Sequence, residues 1–224
     1  MKSSRSSLLA RWRDWLALAC LPALAVIFLY RTVVGNLILA DLDVFTYFYP
    51  YKAYVAQAIR SGSVPLWNPY LFMGAPLLAN IQSAVLYPLS LPLYWLSAPR
   101  MVSVSIVAHL ALAAVFSYGY ARRVLGFGPW PALVSAIALA FSGFLGAQAG
   151  HVNQLNVLAW LPLLFWLFFL SLTTLRPAYA LLASIVVAVQ FLGGHTQSSY
   201  INLFALGCYS VCLALTRQDG RVAQ

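Results

Sequence analysis

Residues 102–121 read VSVSIVAHLALAAVFSYGYA, with no charged residue among them. About 20 predominantly apolar residues in a helix match the thickness of a bilayer's hydrocarbon core. Comparable runs lie at 15–34, 130–149, 155–175, 178–194 and 199–216. Within lipid a chain must satisfy its backbone polar groups internally, so runs of this kind fold as helices. The chain as a whole is 62% hydrophobic and 8% charged, against about 45–50% and about 25% in an average soluble domain. The expected fold is all-α, a polytopic membrane helix bundle with about six transmembrane helices forming a single domain over 1–224.

The stretch 35–101 is too long for a turn, and seven prolines between Pro50 and Pro99 break it into aromatic pieces. It reads as a large structured loop carrying short helices at the membrane interface. Six spans put both termini on one side. Lys2, Arg5, Arg11, Arg13, Arg122, Arg123, Arg176, Arg217 and Arg221 then share that side, and Arg31, Lys52, Arg60 and Arg100 share the other. The positive excess marks the cytoplasmic side, so the long loop is expected to be extracytoplasmic. The first span is too long for a cleavable signal peptide and no small-residue cleavage site follows it, so it reads as a retained anchor. The formal charge of +9 is not gathered into a basic stripe, which argues against nucleic acid as a partner. Residues 3–7 and 217–224 read as loose ends.

Cys20, Cys208 and Cys212 all fall within spans and are expected as small buried side chains rather than a disulfide or metal site. No Walker loop, dinucleotide fingerprint or Cys/His zinc spacing is present.

The chain has no glutamate and four aspartates, two of which, Asp41 and Asp43, follow the first span directly in LADLDVFTYFYPYK. Carboxylates there are acceptors that could act as a base or a cation ligand. Asp43, which precedes the stretch VFTYFYPYKAYVAQAIR, could equally be its helix N-cap, and Asp41 could cap or simply be solvated. Capping accounts for one acid, not for the aromatic, charge-poor neighbourhood. The following residues, 60–96, combine prolines and glycines that set turns with aromatic rings, Trp67 among them, suited to an interface or to stacking on sugar rings. Asn68, Asn80 and Gln82 could hydrogen-bond hydroxyls. An aromatic interfacial belt alone would explain most of these residues.

DVFTYFYPYKAYVAQAIRSGSVPLWNPYLFMGAPLLANIQSAVLYPLSLP resembles the signature loop of YfhO-like bacterial membrane proteins, which are similar to the GT-C superfamily of glycosyltransferases. The matching elements are Asp43, Pro50, Ser61-Gly62, Pro65 to Pro69, Gly74 to Pro76, Gln82-Ser83 and Tyr87-Pro88, with GHVNQLNVLAWLPL at 150–163 and GGHTQSSY at 193–200. The resemblance runs from about residue 15 to 216. It implies transfer of a sugar from a polyprenyl-phosphate carrier to a cell-envelope acceptor, on the outer face of the bacterial plasma membrane. It casts Asp43 as the general base on the acceptor hydroxyl. Asp41 departs from the pattern and is left as a helper, a metal ligand or neither. GT-C proteins of this kind have more than ten spans, so the chain is expected to be the amino-terminal part of a longer protein and to be inactive alone. A non-catalytic membrane scaffold, or a lipid-handling or transport protein on the same fold, is the rival reading.

By the span count His151 and His195 reach the face that carries Asp43. With Asn153, Gln154, Asn156 and Gln197 they could bind phosphate, hold a divalent cation with Asp43, or simply cap helix ends. Lys52 and Arg60 share the loop with Asp43 and are candidates for the phosphate. His109, inside a span, is expected in an interhelical hydrogen bond.

Overall fold

The structure, a computed structural model, describes residues 2–35 and 37–218. Asn36 and the tail 219–224, with Asp219 and Arg221, lie outside the described residues. The first helix is α1 (Lys2–Phe28), followed by the short α2 (Tyr30–Val33). Residues 3–7 are therefore helical rather than loose, and no Pro or Gly among them opposes the helix.

Four segments are helical, long and apolar enough to cross a membrane: Ala98–Arg123, Pro129–Ala147, Val152–Thr174 and Thr196–Thr216. The first is the single helix α4 (Ala98–Arg123). The second is α5 (Pro129–Ala140) continued by α6 (Gly143–Ala147), with the Ser142 hydroxyl accepting the Leu145 N–H at the break. The third is α7 (Val152–Leu158) continued by α8 (Leu161–Thr174). The fourth belongs to α10 (Thr196–Gln218). Between them α9 (Pro177–Leu192) is equally apolar but only 16 residues long.

α4 is the hub, packing against α1, α5, α7 and α8. α1 and α5 bury mainly small side chains. Ala17, Leu21 and Ala25 form the buried stripe of α1, and Ala132, Ala136 and Ala140 that of α5. Spacing by four residues places each set on one helix face, and small side chains let helix backbones approach closely in a lipid-like setting. Outside this core the helices present Val134, Leu181, Ile185, Phe204 and Val211. Cys20, Cys208 and Cys212 are on exposed faces as well. This corrects the expectation that they are buried: an apolar run gives no direction, and these three point away from the bundle.

Residues 37–97 fold into a cap on one end of the bundle. Its helix α3 (Tyr49–Arg60) continues a π-helical turn, Val44–Phe48. A two-residue antiparallel ladder, β1 (Trp67–Asn68) with β2 (Ala75–Pro76), follows, then 3-10 turns at Ile81–Ser83 and Pro88–Trp95. Val55, Ala56, Leu77, Val85 and Tyr94 make a small core that closes on Met101 of α4. At the other end of the bundle Arg122 of α4 pairs with Asp14 of α1 at 2.7 Å.

Candidate functional site

The helix that bears Asp43 begins at Asp41. The Asp41 carboxylate accepts the Asp43 N–H at 3.1 Å, and its carbonyl accepts the Phe45 N–H at 3.0 Å. Asp41 is thus the N-cap, and Asp43 already has helical angles, φ −67° and ψ −32°, with no side-chain capping bond. The sequence offered Asp43 as the cap of this helix; the capping bond is made by Asp41 instead. The Asp41 carboxylate is engaged with the helix end and packs against Gly150, where an added Cβ would fall 2.8 Å from Oδ2.

The Asp43 carboxylate faces a cavity of about 360 Å³ lined by Asp43, Thr46, Tyr47, Phe48, Gln82, His151, Asn153, Gln154 and His195. Four parts of the chain, well separated in sequence, meet there: the start of the cap helix, the turn at Ile81–Ser83, the α6–α7 junction and the α9–α10 junction. His151 Nε2 stands 3.8 Å from Asp43 Oδ2, with both side chains about half exposed.

His195 precedes the first residue of α10 and caps it, its Nδ1 accepting the Ser198 N–H at 3.1 Å. The proton of the neutral ring is therefore on Nε2, which lies 3.2 Å from the Gln154 side-chain amide. An N–H there requires the amide oxygen of Gln154 to face it. Burial, then the neighbouring His151, holds the His195 pKa below its usual 6.5.

Asn153 is 4% exposed. Its Nδ2 donates to Gln82 O at 2.5 Å and to Gly194 O at 3.4 Å. The approach needs glycine at 194, where φ is +94° and a Cβ would come within 3.0 Å of Asn153 Nδ2. Asn153 Oδ1 is buried with no partner among the described residues. Gln82 is held by its backbone, its N–H bonded to Asn80 Oδ1. Asn80 Nδ2 in turn donates to Tyr47 OH at 3.1 Å, and Tyr47 stacks on Tyr51 with ring centroids 4.1 Å apart. Burial pushes the Tyr47 pKa up to about 12.

Below this lies a buried network. Tyr87 OH is 2.6 Å from His109 Nε2 and accepts the Trp160 indole N–H at 2.9 Å, while His109 Nδ1 is 2.6 Å from Ser105 O. The bonds of His109 therefore run to the cap and to its own helix, rather than directly to a neighbouring span.

Several sequence candidates lie elsewhere. Lys52 is 3% exposed and donates to Ser83 O at 3.0 Å, and burial lowers its pKa to about 8. Arg60 donates to Tyr94 O and Leu96 O. Both cations are spent on carbonyls that pin the cap, because a loop without regular ladders has many carbonyls to satisfy, and neither lines the cavity. Asn68 is buried and its Oδ1 accepts the Tyr70 N–H. Trp67 packs its ring over Gly74. Gln197 is exposed on the first turn of α10 and does not line the cavity. Among the described residues no group of three or more His, Cys, Asp or Glu could hold a metal ion.

Thr46, Tyr47 and Phe48 were not singled out from the sequence. For Thr46 and Tyr47 the signal was present, since positions three and four residues on from Asp43 share its helix face; Phe48, five residues on, follows from the π-helical turn Val44–Phe48. In comparisons with family models, curated proteins and solved structures, nothing matches this chain.

Proposed function

We propose that the chain is a bacterial membrane protein that transfers a sugar from a polyprenyl-phosphate carrier, with Asp43 as general base. The observation that carries this reading is the Asp43 carboxylate, free of capping and facing a polar cavity at the end of an apolar helical bundle. A carrier whose tail lies in lipid presents its phosphate and sugar at that level. The YfhO-like signature loop adds the chemistry. Asp43 takes the proton of an acceptor hydroxyl as that oxygen bonds to the anomeric carbon, and the sugar–phosphate bond breaks with its electron pair on the phosphate. A positioned base contributes typically about 10²–10⁴-fold. With Lys52 and Arg60 engaged elsewhere, His151 is the group suited to meet the leaving phosphate, because it is half exposed and a ring N–H can donate to a phosphate oxygen.

In this reading six segments span the membrane, α1 with α2 and α9 joining the four long ones. Both termini face the cytoplasm and the cap faces outward, as the distribution of Lys and Arg requires. One observation favours a second reading. No lysine or arginine lines the cavity among the described residues, which suits a scaffold that binds a carbohydrate without cleaving its phosphate bond.

The test supplies a polyprenyl-phosphate hexose to membranes carrying the protein from its natural gene and measures free polyprenyl phosphate. Release above that of membranes lacking the gene is expected. Binding of the donor without release supports the scaffold, and neither binding nor release contradicts both readings.

A further inference from the structure

We infer that the cavity is the subsite for one neutral, hydroxyl-bearing sugar ring, and that Asn153 is the residue that selects among its hydroxyls. This rests on the sugar-transfer reading and assigns the sugar its place in that site.

The orientation of the Asn153 amide is settled by its neighbours. Gln82 O and Gly194 O are carbonyls, which only accept, so the amide nitrogen must face them both. That leaves Oδ1 as a fixed acceptor in a wall residue of the cavity, buried and unpartnered among the described residues. A buried acceptor without a donor is costly in a native structure and calls for a specific explanation. A donor from a ligand supplies one.

The remaining lining groups define what that ligand is. Asp43 is an acceptor, and no lysine or arginine offsets it among the described lining residues. The His195 ring resists a second proton, because Nδ1 already accepts the Ser198 N–H. Away from His151, the lining around Asp43, Asn153 and His195 disfavours an anion and favours a group that donates. A sugar hydroxyl donates one hydrogen bond while accepting others, and the side chain of Gln82, unbonded among the described residues, can supply a donor. Tyr47 and Phe48 add an aromatic wall for the apolar face of a ring. The volume of about 360 Å³ is near the lower end of the range for ligand sites, suited to one ring rather than an oligosaccharide. The phosphate then lies beside the ring, on the half-exposed His151 side of the cavity.

The experiment uses the full chain in detergent and saturation-transfer NMR with the methyl glycosides of glucose, galactose, mannose and N-acetylglucosamine. For any glycoside that binds, each hydroxyl is then replaced in turn by fluorine, which cannot donate. One position should weaken binding about tenfold or more, and Asn153→Ala should abolish the penalty at that position alone. The fluorine series on the unaltered chain stands even where Asn153→Ala fails to fold. Pyrophosphate at equal concentration should not displace the glycoside. Binding by none of the four glycosides, equal binding of every fluorinated analogue, or displacement by pyrophosphate overturns the inference. Because no turnover is measured, the subsite can fail while sugar transfer stands, and an inactive chain can still show the fluorine discrimination.

Discussion

His195 caps α10 through Nδ1, and a second proton there would set one N–H against the Ser198 N–H. Burial and the nearby His151 act in the same direction, so the folded pKa lies below 6.5. The unfolded chain titrates near 6.5. Between the two values the unfolded state binds more protons, so stability rises with pH across that window and falls as the medium is acidified below about 6.5. The melting temperature in detergent should therefore drop on acidification more steeply for the unaltered protein than for His195→Asn, which keeps a capping side chain and cannot titrate. Equal slopes would show that His195 is not held neutral. At this scale the sequence named six residues that the cavity brings together: Asp43, Gln82, His151, Asn153, Gln154 and His195. It could not tell which polar groups are consumed by the backbone. Lys52, Arg60 and Asn68 are, each by main-chain atoms of the cap with no sequence signature.

The elements divide in the same way. The apolar runs at 102–121, 130–149, 155–175 and 199–216 announced helices of spanning length, because a run that long has few other solutions in lipid. The 178–194 run is a 16-residue helix; the break at Ser142 depends on a local cap rather than hydropathy, and the break at Trp160, which has no side-chain cap, comes just before Pro162, which has no N–H for the helical ladder. The start of the cap helix, expected at Asp43, lies two residues earlier at Asp41, because it too is set by a local capping bond. That start now makes its own prediction. Asp41→Asn should leave the melting temperature nearly unchanged, whereas Asp41→Ala should cost about 0.5–2 kcal/mol. Gly150→Ala should also destabilise, because its Cβ would fall 2.8 Å from the Asp41 carboxylate. Combined with Asp41→Ala, which clears that space, Gly150→Ala should cost less than it does alone. Strict additivity would mean that the Asp41–Gly150 contact does not hold the two segments together.

At the scale of the molecule, the cap, His151 and His195 gather at one end of the bundle and the Asp14–Arg122 pair lies at the other. Single cysteines can test the orientation in a background lacking Cys20, Cys208 and Cys212. Ser63, Gln82 and Gln197 are exposed at the cap end, and Leu125 is exposed near Arg122. Cysteines replacing the first three should react with an impermeant thiol reagent in intact cells, and one replacing Leu125 only after lysis. The reverse pattern would place the cap in the cytoplasm and remove it from an outward-facing carrier. The sugar transfer we propose would be a property of the whole molecule, since the cavity draws on segments from residue 43 to residue 195. It is probed most directly by comparing Asp43→Asn with Asp41→Asn, at matched amounts in membranes, for release of polyprenyl phosphate from a polyprenyl-phosphate hexose. Asp43→Asn removes the carboxylate proposed as the base and should lower release by about 10²-fold or more at unchanged melting temperature, while Asp41→Asn, which keeps the cap, should stay near the unaltered rate. Full release from Asp43→Asn would contradict Asp43 as the base.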